Sequence, residues 1–274
     1  MLNQNLLESV TQIAYQAGDE IMKVYRSDNF HAEYKSDDSP LTLADKKAHA
    51  CILKELAILN PEFPILSEES EVIAYDTRKS WKTFWLVDPL DGTKEFLKKN
   101  DEFTVNIALI DHGFPVLGVV YAPATKVCYR AIKNFGAEKQ VDRHWKKIHV
   151  SGDMKKPLNI VMSRSHPSET LNEFLKTISE FRAIEAGSSL KICYVAEGIA
   201  DFYPRLGPTM EWDTAAAHCI LNEAGGYLRT MKNESLKYNR EVLKNDYFVA
   251  ATPIIEASGI LEQLYQAVDK NHGQ

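Results

Sequence analysis

Leu6, Leu7, Val10, Ile13, Ala14, Ala17, Ile21 and Val24 recur at steps of three and four residues, which predicts a long amphipathic helix near the start of the chain. A polar stretch from His31 to Ser39 ends in Ser39-Pro40. A second helix is expected from about Thr42 to Leu59, with Thr42 and Asp45 at capping-box spacing and Pro61 as its stop. FPIL (63–66) reads as a short buried strand running into Ser67-Glu68-Glu69, and TFWLV (83–87) as an apolar strand that ends abruptly in Asp88-Pro89-Leu90-Asp91-Gly92-Thr93. TVNIALI (104–110), PVLGVVYA (115–122) and KVCYRAI (126–132) follow, separated by Gly- and Pro-bearing turns, and predict an antiparallel meander. Residues 133–157 are polar and charged and read as a connection between two halves. Beyond them strands at 158–163, 182–186, 200–204 and 247–252 alternate with helices at 168–180, 188–198 and 213–226, and a last helix closes the chain. That alternation predicts an α/β layered half.

The chain has 274 residues, 45% hydrophobic and 26% charged, which excludes collagen-like, disordered and disulfide-scaffold classes and suits one large domain or two packed ones. We divide it at the polar connection, into 1–150 and 151–274. Lys and Arg number 32 against 38 Asp and Glu, a net of −6, which speaks against a protein that grips a nucleic-acid backbone. The basic run Arg143, His144, Lys146 and Lys147 reads as a solvated loop. Cys51, Cys128, Cys193 and Cys219 form no C-x-x-C pair and are expected to be reduced thiols. The opening MLNQNLLESVTQ lacks the basic and apolar parts of a secretory leader, and no apolar run reaches the roughly 18 residues that cross a bilayer. A cytoplasmic location is expected; a peripheral contact with the inner membrane face is compatible with the sequence and required by nothing in it.

The chemistry concentrates where apolar segments stop. A buried strand delivers Asp88 and Asp91, three residues apart, on a turn tightened by Pro89 and Gly92. Glu68 follows another strand, and Asp213 opens a helix after Glu211-Trp212. Each has an ordinary explanation: a polar turn for the first pair, a helix cap for Asp213. Together they are better explained by one shared cation site, because several carboxylates in one cleft repel without a cation and Mg2+ prefers oxygen ligands.

The residues Leu66-Ser67-Glu68-Glu69, then Trp85 to Thr93, then Trp212-Asp213-Thr214-Ala215-Ala216 resemble the three signatures of the lithium-sensitive, magnesium-dependent inositol monophosphatase superfamily. Ser39 to Asp45 and Glu223-Ala224-Gly225-Gly226 match as well, so the resemblance runs in order across nearly the whole chain. Within the superfamily, Asp91 to Phe96, Phe103 to Ile110, Ser163-Arg164-Ser165-His166 and Gly187 to Lys191 are most similar to the bacterial CysQ-type branch of 3'(2'),5'-bisphosphate nucleotidases. The resemblance implies a layered αβαβα sandwich of the inositol monophosphatase and fructose-1,6-bisphosphatase type. It implies two or three Mg2+ ions, inhibition by Li+, and a small bisphosphorylated nucleotide as substrate, in sulfur assimilation or nucleotide recycling.

Carried over by position, the resemblance implies that Glu68, Asp88 and the Leu90 carbonyl hold a first Mg2+. Asp88, Asp91 and Asp213 hold a second. Thr93 and Asp45 match the pair that orients or deprotonates the attacking water, with Glu68 as the competing base. Gly92, Thr93 and Asp213 face the transferred phosphate, while Ser163, His166, Gly187, Ser188 and Lys191 align with nucleotide contacts. In the inositol branch an acid precedes the Trp-Asp motif and meets sugar hydroxyls; here Arg205 stands there, and a guanidinium suits a second phosphate. An inositol or fructose bisphosphate phosphatase on the same scaffold is the alternative, and a non-catalytic nucleotide-binding module a more distant one. Oligomeric state is open.

Overall fold

The computed structural model describes residues 2–27, 33–34, 40–154, 156–162 and 169–272. In chain order the first half contains α1 (Gln4–Tyr25), the short pair β1 (Glu33–Tyr34) and β2 (Pro40–Leu41), α2 (Leu43–Leu59), β3 (Ile65–Ser67), α3 (Tyr75–Arg78), β4 (Thr83–Asp91) and α4 (Thr93–Leu97). The meander follows as β5 (Thr104–Asp111), β6 (Phe114–Ala122), β7 (Val127–Ile132), β8 (Gly136–Val141) and β9 (His144–Ile148). The remainder is β10 (Leu158–Met162), α5 (Glu169–Lys176), β11 (Phe181–Glu185), α6 (Leu190–Ala196), β12 (Phe202–Arg205), α7 (Glu211–Glu223), β13 (Tyr227–Thr230), β14 (Phe248–Ala251), α8 (Pro253–Ala257) and α9 (Ile260–His272).

These elements stack as five layers. The stripe Leu7, Val10, Ala14, Ala17 and Ile21 of α1, with Ala48, Ile52 and Leu56 of α2, packs on one face of a seven-stranded sheet ordered β3-β4-β5-β6-β7-β8-β9. Period-two alternation splits each strand between two cores. Val105, Ile107 and Leu109 of β5 face α1 and α2, whereas Ala108 and Ile110 face the opposite way. That second face meets α6 and α7, which in turn cover a five-stranded sheet ordered β11-β10-β12-β14-β13. α5 and α9 close the far side through Phe174, Leu261 and Leu264. The architecture is the αβαβα sandwich expected from the resemblance.

α7, which starts at Glu211 and carries Asp213 in its first turn, is held unusually close to the sheet. Ala215, Ala216 and Ala217 offer little bulk, and a Cβ on Gly118 of β6 would lie 2.3 Å from the Ala216 carbonyl oxygen. Only glycine permits this approach.

Three expectations need correction. The connection expected over 133–157 instead contains β8 and β9, a hairpin that extends the sheet; its turn, Asp142-Arg143, takes positive φ at both residues (50° and 65°), as a type I′ turn requires. The strands were hard to read because they lie at the sheet edge, where among β8 and β9 only Ala137 is buried and the remaining positions are polar or half-exposed. β4 does not stop at Val87 but continues through Pro89 to Asp91, with a register shift against β5 between Asp88 and Asp91. β13, after Gly226, had no apolar run long enough to announce it and forms by antiparallel pairing with β14. No helix among the described residues is long and apolar enough to cross a membrane. The four cysteines are free thiols.

Candidate active site

The parallel pairing of β3 and β4 sets Ser67 opposite Val87, and the Glu68 N–H donates to the Val87 carbonyl at 3.1 Å. Glu68 and Asp88 therefore leave the sheet side by side. The first turn of α7 brings in Asp213. Glu68, Asp88 and Asp213 each present an oxygen, and these atoms all lie within 4.8 Å of one another. One oxygen of two of these acids is already committed, which orients the other. Asp88 Oδ1 accepts the Leu90 N–H at 3.0 Å, and Asp213 Oδ2 accepts the Met210 N–H at 2.8 Å, a cap on α7.

Burial pushes the Asp88 carboxyl well above the ordinary carboxylate range, and Glu68, Asp91, Asp213 and Asp45 push it further the same way. Asp213 is raised too, by burial first and then by Asp91, with Arg205 opposing. Such mutual repulsion favours a hard divalent cation, and the all-oxygen donor set fits one. Asp91 stands beside this triple, with Oδ2 accepting the Ser189 hydroxyl at 2.9 Å. Neither Ser189 nor its partner Asn106 was singled out from the sequence. The available signal was Asn106 itself, a buried amide in the middle of the apolar strand TVNIALI.

Asp45 occupies the third position of α2, where its Oδ2 takes both the Thr42 N–H at 2.7 Å and the Thr42 hydroxyl at 2.5 Å. This is the capping box read from the sequence, and it leaves Oδ1 to face Thr93 at 3.4 Å. The Thr93 hydroxyl is equally far, 3.4 Å, from the Leu90 carbonyl. Desolvation raises the Asp45 pKa to about 6, against the opposing pull of the Thr42 bonds. Gly92 makes the turn from β4 into α4 at φ 90°, a left-handed value that favours glycine.

Of these acids, Asp91 and Asp213 line a cleft of about 450 Å³ that Lys191 and Arg205 also line. Lys191 keeps part of its surface open; desolvation holds its pKa below the ordinary lysine value, Asp91 opposes, and Arg205 adds to the lowering. Arg205 donates from Nη2 to the Pro208 carbonyl at 2.7 Å, while its buried Nε has no partner in the chain. Ser188 and Tyr203 also line the cleft. Gly187 packs against the 95–102 segment, where a Cβ would lie 2.6 Å from the Glu102 carbonyl oxygen, so its small size has a packing reason. Ser163 and His166 lie outside the described residues.

Comparison with known proteins places this geometry among relatives. The model of the inositol monophosphatase family matches residues 2–272. A protein of Salmonella typhimurium named 3'(2'),5'-bisphosphate nucleotidase CysQ is 49% identical over 246 residues, covering 89% of this chain and 98% of the relative. The crystal structure of CysQ from Bacteroides thetaiotaomicron superposes with a TM-score of 0.79 at 40% identity, over 91% of this chain and 97% of that one. That of the extragenic suppressor protein SuhB from Bartonella henselae superposes with a TM-score of 0.80 at 26% identity, over 95% and 98%.

Proposed function

The chain belongs to the inositol monophosphatase family, and from that premise we propose that it is a Mg2+-dependent 3'(2'),5'-bisphosphate nucleotidase, which hydrolyses adenosine 3'(2'),5'-bisphosphate to AMP and phosphate. One observation carries the reading: Asp213, which belongs to the Glu68–Asp88–Asp213 cluster, lines the same cleft as Asp91, Lys191 and Arg205. One end suits a cation with a phosphate to be cut, and the other a phosphate to be kept. The names of relatives 46–49% identical over 89% of this chain support the same substrate class.

In this reading Glu68, Asp88 and the Leu90 carbonyl hold one ion, and Asp88, Asp91 and Asp213 a second. When bound, the ions supply Lewis-acid polarisation of the phosphoryl group and a water acidic enough to attack near neutral pH. The chain's own residues do the rest. Thr93, between Asp45 Oδ1 and the Leu90 carbonyl, holds the attacking water and passes its proton to Asp45 Oδ1; a carboxylate with a pKa of about 6 accepts it near neutral pH. Glu68 is the competing base. Lys191 and the unpartnered Arg205 Nε, with Ser188, bind the 5'-phosphate that is retained. Li+ inhibition, a cytoplasmic location and a division of labour between 1–150, with most ion ligands, and 151–274, which completes the site, belong to the same proposal.

The test is phosphate release from adenosine 3',5'-bisphosphate and from inositol 1-phosphate, with and without Mg2+ and with added Li+. The reading expects Mg2+-dependent, Li+-sensitive release that favours the nucleotide. A preference for inositol 1-phosphate would assign the chain to the other branch.

A further inference from the structure

Asp91 is held in a way the other acids are not. It lies after the register shift of β4, opposite Thr104, while Asp88 lies opposite Asn106. Thr104 and Asn106 are two apart on β5, so both side chains stand on the face that carries the acids. Asn106 is 1% exposed and its amide is bonded at both ends. Its Oδ1 accepts the Thr104 hydroxyl at 3.0 Å, and its Nδ2 donates to Ser189 Oγ at 2.8 Å. Asp91 Oδ2 lies 3.4 Å from the same Nδ2.

The Ser189 hydroxyl has one proton and two acceptors within reach, Asp91 Oδ2 at 2.9 Å and the Asp213 carbonyl at 2.6 Å. By occupying a lone pair of Ser189 Oγ, Asn106 directs that proton away from itself, towards these two. The chain from β5 through Ser189 to Asp91 and Asp213 thus joins elements that cover the two sheets. Both donors are neutral. A lysine here would cancel the Asp91 charge that a cation needs, and an apolar residue would leave Ser189 and Asp91 free to turn; an amide and a hydroxyl orient the carboxylate without discharging it.

We infer that Asn106, acting through the Ser189 hydroxyl, is a positioning residue that holds Asp91 in register with Asp213 for cation binding. The inference rests on the nucleotidase reading above. It predicts that Asn106→Leu and Ser189→Ala each weaken Mg2+ binding about tenfold or more. Because both act on Asp91 Oδ2 chiefly through the Ser189 hydroxyl, with only the 3.4 Å Asn106 contact beside it, the double variant loses less than the two singles summed.

Mg2+ binding to the purified full-length chain is measured by titration calorimetry without substrate, alongside the Mg2+ dependence and KM of nucleotide hydrolysis. The expected result is a higher Mg2+ requirement with an unchanged nucleotide KM and a recovered kcat at saturating Mg2+. A loss confined to KM, or Mg2+ binding equal to wild type in folded variants, overturns the assignment. Ser189→Ala removes one oxygen without adding volume and decides alone if Asn106→Leu fails to fold. A wild-type chain that neither binds Mg2+ nor releases phosphate overturns the nucleotidase reading, and this assignment with it.

Discussion

Replacing Asp88 by Asn should raise the stability of the metal-free protein while destroying its activity. Asp88 is 1% exposed, and its oxygen lies within 4.8 Å of oxygens of Glu68 and Asp213. At that spacing each like-charged pair repels by about 3 kcal/mol at an effective dielectric near 20. The wild-type chain relieves much of this by holding a proton, which is why the Asp88 pKa is raised. The gain left for the variant is about 2 kcal/mol, or about 4–8 °C in Tm for a chain of this length. Asparagine keeps the oxygen that accepts the Leu90 N–H, so the turn survives. The pH dependence has a definite sign. A carboxyl raised in the folded state binds more protons there than when unfolded, so native stability falls as pH rises from the unfolded value of 3.8 towards the folded one. The advantage of Asp88→Asn is therefore greatest above the folded value and shrinks as pH falls towards the unfolded one. Melting curves across a pH series, with and without Mg2+, read this directly. Mg2+ should stabilise the wild type and not the variant, and phosphate release should drop roughly 10³-fold, about 4 kcal/mol of transition-state stabilisation. A variant that melts lower than wild type without metal, or that keeps its Mg2+ response, would refute the picture of a repelling cluster.

Other substitutions test separate parts of the site. Asp45→Asn should lower kcat about 10²-fold and abolish the limb of the pH–rate profile that rises through about pH 6, where the wild-type carboxylate gains its charge; a profile unchanged in shape would move the base to Glu68. Arg205→Ala should raise KM for adenosine 3',5'-bisphosphate by about 10- to 100-fold, the worth of a lost charge-assisted bond, and leave inositol 1-phosphate nearly untouched, as steady-state kinetics on both substrates will show. Gly118→Ala forces a methyl against the Ala216 carbonyl and should cost about 1–3 kcal/mol in denaturant unfolding; because α7 carries Asp213, Mg2+ affinity should fall with it.

The parts of the molecule that were legible in the sequence share a physical cause. The α1 stripe, the alternation of β5 and the Thr42–Asp45 box are local patterns whose period is the element itself. The acids were legible because each interrupts an apolar segment: Asp88 after Trp85-Leu86-Val87, Glu68 after Ile65-Leu66-Ser67. Their spatial convergence was not, since it depends on the parallel register of β3 on β4 and on the docking of α7 against Gly118. The same limit hid β8 and β9, whose outward positions are polar and whose pairing is set by the rest of the sheet. Asn106 shows a subtler version. It was visible as a polar residue in an apolar strand, but its partner Ser189 lies 83 positions away. Ser189 reaches it only because α6 packs over the face of β5 that carries Ala108 and Ile110. Gly187 had a functional reading from resemblance, and the fold adds a steric one: the Glu102 backbone leaves no room for a larger residue.

In the proposed reaction the acid cluster and its cations cut one phosphate while Lys191 and Arg205 hold the other. Chromatographic identification of the nucleoside monophosphate formed from adenosine 3',5'-bisphosphate and Mg2+ tests it most directly. The predicted product is adenosine 5'-monophosphate with one equivalent of phosphate. Formation of adenosine 3'-monophosphate, or no turnover of this substrate by folded, Mg2+-loaded protein, would contradict it.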